Sequence, residues 1–474
     1  MLKYTSLDIE VTVMDNTKCM ICCCMVASIT ALALNILLPP QAGISGTIIE
    51  AEQVPFVKDH KLEIELVAEG LHHPTSMIFL GPNDLLVLEK DKGTVQRVTN
   101  GIIHKQPLLD LNVDNEGERG MLGISTMKSS DGRTSVFLYY TESTKDDGDT
   151  RYTRIPAGNV LYKYEFVGGR LINPKVLFDF PESRHSAHNG GKILTGPDNN
   201  LYLVVGDGDS CVDRSQKING KFVCSDANLD FILNSQSSNV INGVRPFGKG
   251  GILRMTVDGN AVGEGLLGQD KPLNMYYAYG IRNSFGIAFD PVTGNLWDTE
   301  NGPGFGDEIN LVIPGFNSGW LKIQGFWPVL TYNPVPIKKG YFNHTSTNLT
   351  RELVNFDGKG TYKAPKFAWN ITVGPTALKF FNSAKWGRHY ENDLFVGDIN
   401  KGRIYHFDLN ENRTDLVLEG DLKDKVANSN KESRDAIFAG GFGGITDIQV
   451  GPDGYLYVLS YPYGKIYRIL PVDP

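Results

Sequence analysis

The chain is poor in cysteine. Six occur in 474 residues, and four of them (Cys19, Cys22, Cys23, Cys24) crowd in or beside one apolar stretch near the start. The body of the chain therefore carries at most one disulfide, between Cys211 and Cys224, which bound a short polar loop. Positive charge is also scarce. A net charge of −8 and a pI near 5.7 give no support for a nucleic-acid partner. Long amphipathic helical periods are missing. So are a Walker loop, a dinucleotide fingerprint placed between strand and helix, and a GxSxG elbow. ATP, nicotinamide and serine-hydrolase chemistry thus lack their motifs.

Charge is absent altogether between Lys18 and Glu50, and Met20 to Leu38 is almost wholly apolar. Such a run is long enough to span a bilayer. It also fits the core of an export signal, but no clean small-x-small cleavage site follows it. The reading favoured is an uncleaved N-terminal hydrophobic helix, ended by Pro39-Pro40. Residues 1–50 are then an anchor region, and residues 51–474 a folded domain outside the cytoplasm. The sequons at Asn343, Asn348, Asn370 and Asn412 are compatible with that placement.

What the chain has in abundance is turn formers: 52 glycines and 24 prolines, with 10% aromatics. That mixture points to many short strands. A phrase recurs through the body: a Gly/Pro/Asp/Asn turn, a short strand, often a second turn and strand. It is read at 81–98, 196–209, 290–302, 390–409 and 451–470, and more weakly at 120–143. Each copy is a β-hairpin signal that cannot bury both faces alone. Copies arranged radially can. The expectation is an all-β fold: a six-bladed β-propeller with long inter-strand insertions at 144–190, 209–250 and 321–370.

Four places are candidates for chemistry. In 279–320, Arg282-Asn283 sets a permanent cation beside an amide just before a strand. The loop Glu300 to Glu308 mixes carboxylates with glycines, so backbone carbonyls and hard anionic oxygens can converge, as calcium requires. His188 follows a polar insertion and precedes a strand. Asp207 lies nineteen residues on, after the strand Leu201 to Val205, where a hairpin could bring it beside His188 to fix the imidazole tautomer of a general base. His185 competes for that role. Lys401 sits in a hairpin turn, and Glu118-Arg119 precede a strand start.

Taken together and in order, HNGGKI…GPDNNLYLVVGDG, YGIRNSFGIAFDPVTGNLWDTENGPGFGDEINLV…NSGW and GDINKGRIYHF resemble the soluble quinoprotein glucose/sorbosone dehydrogenases, also called aldose sugar dehydrogenases. The resemblance runs from about Leu71 to Ile469. It implies a propeller that binds pyrroloquinoline quinone (PQQ) and Ca2+, and oxidises an aldose at C1 to the lactone for an external electron acceptor. It implies His188 as base, Asp207 as its orienting carboxylate and Arg282 as stabiliser of the reduced quinone. It further implies Asn283, Thr372, Lys401 and the position of Glu118 at the cofactor, carbonyls of Gly302 and Pro303 on calcium, and Glu308 on a second calcium.

The pattern also departs from the family. Gly444 and Thr446 stand near where two cofactor-binding arginines are usual. Glu118 replaces a glutamine, and Ala187 replaces an acid. Either Arg119, Arg184 or Arg403 compensates, or PQQ binds weakly, or the fold is kept without the redox role. These losses favour a second reading, a non-catalytic binding propeller on the cell surface; a third is a calcium-dependent lactonase, which would need several acidic or amide metal ligands converging on the axis.

Overall fold

The computed structural model describes residues 53–143, 158–180, 186–208, 217–218, 221–222, 248–320, 322–329, 350–351 and 353–472. The chain divides into two units, Met1–Ala51 and Glu52–Pro474, and all of these residues belong to the second. The expected N-terminal helix and the Cys211–Cys224 pair lie outside the described residues. Among those described, no helix is long and apolar enough to cross a membrane.

The second unit is an all-β propeller. Five sheets each contain a four-stranded antiparallel meander that follows chain order. Their first strands are Pro74–Gly81, Met121–Lys128, Ile193–Thr195, Ser284–Phe289 and Pro375–Phe380. Short outer strands extend some of them; Val426–Ala427, for instance, adds in parallel to Phe367–Trp369 of the fourth sheet. A further sheet, begun by Ile445–Val450, takes its fourth strand, Leu62–Glu69, from the opposite end of the folded unit.

This corrects the expectation of a six-bladed propeller. The molecule has five self-contained blades and a composite closing sheet. The turn–strand phrase is a signal for two paired strands. It holds no information about which segment supplies the outer strand, so it cannot separate a blade from a clasp.

The first strands lie side by side in a ring, and Ile445–Val450 packs back against Pro74–Gly81. Apolar cores fill the gaps between successive sheets. The second strands explain how. In Asp84–Glu89, Leu86 and Leu88 enter the core shared with the second sheet, while Leu85 and Val87 enter the core shared with the closing sheet. In Leu201–Val205, Leu201, Leu203 and Val205 face one neighbour, and Tyr202 and Val204 the other. Side chains alternate across a strand, so a strand clamped between two cores must be apolar throughout.

The closing sheet shares a core with the first sheet through Tyr457, Leu459 and Ile466. Replacing Ile466 by Ala removes buried methylenes there and is expected to cost about 2–5 kcal/mol. The check is the urea midpoint at unchanged m-value. A shift below about 0.5 kcal/mol, the range of surface substitutions, would show that this junction does not hold the ring shut.

Candidate active site

One end of the ring opens into a cavity of about 270 Å3. Its wall is repetitive. Thr75, Leu122, Phe285, Thr376 and Thr446 are each the second residue of a first strand, and Lys192 stands just before Ile193–Thr195. Lys90, Asn301, Ile399 and Tyr461 each follow a second strand directly. The rotational repetition of the fold thus puts the same register position of successive sheets on one rim. Gly117 and Glu118 complete the wall.

Glu118 links this wall to a buried group. Its Oε2 accepts the backbone N–H of His188 at 2.7 Å and Asn283 Nδ2 at 3.3 Å. His188, 7% exposed, has a φ of 55°, a left-handed conformation uncommon outside glycine. Its Nδ1 lies 2.7 Å from Asp207 Oδ1. Asp207 is tied from the other side by Trp320 Nε1 at 2.7 Å, and its own N–H donates to Arg282 O. Burial pushes the Asp207 carboxyl up, but the neighbouring His188 and Arg282 and the bonds from His188 and Trp320 outweigh it, so the group stays below the usual carboxylate range.

Arg282 completes the cluster. Its N–H donates to Glu300 Oε1 at 2.7 Å, Nη1 donates to Asn301 O at 2.8 Å, and its guanidinium carbon lies 5.4 Å from the Trp320 ring centroid. Arg282 Nε is buried with no hydrogen-bond partner, as is Asn301 Oδ1. His188, Asp207, Arg282, Asn283 and Glu118, distant in sequence, are therefore one connected network. Trp320 and Glu300 belong to it as well and were not assigned roles from the sequence. The tryptophan closing NSGW was the available signal.

Other expected residues sit differently. Lys401 is exposed in the turn after Leu394–Asp398, with its N–H on Asp398 Oδ1. Thr372 is half-buried beside Val373 and Gly374, whose N–H groups donate to Asp307 Oδ2; Asp307 Oδ1 takes Gly302 N–H at 2.8 Å. Asp307 thus staples the Gly302-Pro303 loop to the next blade. Burial raises its carboxyl to about 6 despite those three bonds.

Glu308 is buried. Oε1 accepts from Gln324 Nε2 and Gly325 N, and Oε2 from Asn310 Nδ2 and Ser318 Oγ. Arg119 is also engaged, with Nη1 3.0 Å from Asp114 Oδ2, and Arg184 and His185 lie outside the described residues. Thr446 does line the cavity, as an uncharged residue. The cations in the wall are instead Lys90, bonded to Asp91 Oδ1 at 2.6 Å, and Lys192, bonded to Asp447 Oδ1.

A model of the Glucose / Sorbosone dehydrogenase family matches residues 71–224 and 244–468. The chain belongs to this family. It is 24% identical over 421 residues to aldose sugar dehydrogenase YliI of Escherichia coli, covering 86% of this chain and 93% of that one. It is 23% identical over 458 residues to quinoprotein glucose dehydrogenase B of Acinetobacter calcoaceticus, covering 87% and 88%. Its fold matches the PQQ-bound aldose sugar dehydrogenase of Streptomyces coelicolor with a TM-score of 0.55 at 21% identity, covering 88% and 99%. It is an oxidoreductase fold of the sugar-dehydrogenase kind.

One feature of the site is testable by pH. Ser318 Oγ lies 2.6 Å from Glu300 Oε2 and 3.1 Å from Glu308 Oε2, yet a hydroxyl has one proton to donate. Burial raises Glu300 to about 7, against the Ser318 and Arg282 N–H bonds, with the Asp207 charge adding to the rise. A carboxyl raised on folding favours the native state while protonated. That contribution is full below its unfolded value and is lost as pH rises through the folded one. Glu300→Gln mimics the protonated acid and lets Ser318 donate to Glu308. It is expected to flatten the fall in stability between about pH 4.5 and 7, and to gain about 1–3 kcal/mol at pH 8. Urea unfolding of both proteins across that range measures it.

Proposed function

We propose that the chain oxidises the C1 hydroxyl of an aldose to the lactone, with PQQ as electron acceptor, calcium beside it, and His188 as general base. The observation that carries this reading is the buried His188–Asp207–Trp320 chain behind the cavity wall, with both hydrogen bonds 2.7 Å long.

The residues present suit a quinone polycarboxylate. Lys90 and Lys192 face the cavity where two arginines are missing, and each is already oriented by a carboxylate behind it. The unpartnered donor Arg282 Nε and acceptor Asn301 Oδ1 are buried groups that such a ligand could satisfy. The negative charge of Glu118 is held by two donors, which lowers its repulsion toward an anion. For calcium, the candidates are the carbonyls of Gly302 and Pro303 in the loop that Asp307 fixes. Glu308, whose Oε1 also holds the Gln324-Gly325 turn, is the candidate on a second calcium.

When bound, PQQ supplies the acceptor for a hydride, that is, two electrons and the C1 hydrogen. The chain's own residues handle the proton. Asp207, ionised, takes the Nδ1–H of His188, so the lone pair resides on Nε2. Nε2 removes the hydroxyl proton as C1 loses its hydride. The imidazolium so formed is stabilised by Asp207, which Trp320 prevents from rotating away. Arg282, pinned by Glu300 and Asn301, holds positive charge beside the reacting groups without reorganising. An external acceptor then takes up the electrons.

Reconstitution tests the reading. Protein given calcium and PQQ is expected to retain quinone absorbance after desalting and to bleach on adding an aldose. His188→Ala should retain the quinone and lose about 10²–10⁴-fold in turnover. Failure to retain quinone at micromolar protein would overturn the proposal in favour of a non-catalytic binding propeller. The double variant Lys90→Met/Lys192→Met is expected to weaken quinone binding by at least about tenfold, the loss of one to two charge-assisted contacts. Tryptophan fluorescence quenching on titration with PQQ reads this without turnover. Unchanged affinity would place the cofactor's carboxylates elsewhere.

A further inference from the structure

A second cluster of ligating side chains lies beside the cavity, and of its members only Asp91, behind Lys90, enters the chemistry above. His72 and His73 sit in the bend between Leu62–Glu69 and Pro74–Gly81, and Asp91 in the turn after Asp84–Glu89. The two segments are bound together by Lys90 N–H to His73 O at 3.1 Å, and by His72 N–H to Glu89 Oε1 at 2.7 Å. One ligand atom from each of the three side chains lies within 4.8 Å of the other two. His73 Nδ1 is 2.5 Å from Asp91 Oδ2, and the two imidazole rings are 4.4 Å apart. His72 is exposed and His73 and Asp91 are half-exposed, so the group is open to ions from solvent.

We propose that His72, His73 and Asp91 form a binding site for a divalent transition-metal ion at the rim of the cavity.

The donor set argues for that class of ion. Two neutral imidazoles and one carboxylate suit zinc, copper or nickel, whereas calcium and magnesium prefer oxygen alone. The spacing is close to what is needed. With bonds of about 2.0–2.2 Å, a tetrahedral ion holds its donor atoms about 3.4 Å apart. The His73–Asp91 contact must open by about 1 Å to reach that value, and the remaining separations must close to it. Partly exposed side chains in turns can make such shifts by small rotations. Three protein ligands leave at least one position for water or another ligand. The cluster is also coupled to the cavity on two sides. Asp91 Oδ1 holds Lys90, and the His73 ring stacks on Tyr461 at 4.8 Å, both of these being cavity-wall residues. An ion on Asp91 would compete with the Lys90 ammonium for that carboxylate.

The site does not depend on the dehydrogenase reading, and its test uses the metal alone. The full chain, stripped with chelator and dialysed, is titrated with Zn2+ by calorimetry and with Cu2+ by electron paramagnetic resonance. The expected result is one equivalent of ion whose Cu2+ spectrum shows nitrogen couplings from two imidazoles. His72→Ala/His73→Ala should remove that equivalent, and Asp91→Asn should weaken it by at least about tenfold. His406→Ala, which breaks the separate group of Asp393, His406 and Asp408, should leave it unchanged. Circular dichroism shows that each variant is folded. Unchanged stoichiometry and affinity in the His72→Ala/His73→Ala protein, or no equivalent bound by the parent, would overturn the proposal.

Discussion

The structure rests on apolar packing between neighbouring sheets. No sheet has a core of its own. Each lends one face of its strands to the sheet before it and the other face to the sheet after it. Burial on both faces is what makes the second strands continuous runs such as Leu85-Leu86-Val87-Leu88. It also forces the array to close, because an unclosed array would leave two apolar faces in water. Closure falls to the pairing of Leu62–Glu69 with Lys465–Pro471.

The site is a by-product of that closure. Once the sheets are related by rotation about a common axis, equivalent register positions converge on it. A threonine, leucine, phenylalanine or lysine near the start of a first strand becomes cavity wall. The reactive pair is placed by the same logic. Asp207 lies just beyond the second strand of the third sheet, and His188 shortly before its first strand. The antiparallel pairing of Ile193–Thr195 with Leu201–Val205 brings those ends together. Arg282, just before the first strand of the fourth sheet, and Trp320, after its third, then bear on Asp207.

Much of this was legible in the sequence, for reasons that are local. Turn chemistry and alternating strands mark hairpins, and hairpins mark a propeller. The His188–Asp207 contact could be anticipated because one hairpin separates the two residues. What was not legible depends on distant partners. Nothing near Leu62–Glu69 says that it pairs with the far end of the folded unit. That Glu308 in the acid-rich loop meets Gln324 and Gly325 is likewise set by chain far from it. Arginines adjacent to the motifs in sequence are the natural candidates for replacement cations. The lysines found in the wall, Lys90 and Lys192, belong to other sheets and meet only through the ring.

The clasp strand also sets the order of events when the chain is made. Arg468 pairs with Glu65 across 403 positions of sequence. Glu65 leaves the ribosome early and must wait for nearly the whole domain before its partner exists. Such a separation belongs to folds that assemble slowly. Until Lys465–Pro471 arrives, Leu62–Glu69 has an unpaired edge and the first sheet an uncovered face. The nascent protein therefore carries its most adhesive surface for the longest time, and the last strand synthesised is the one that retires it.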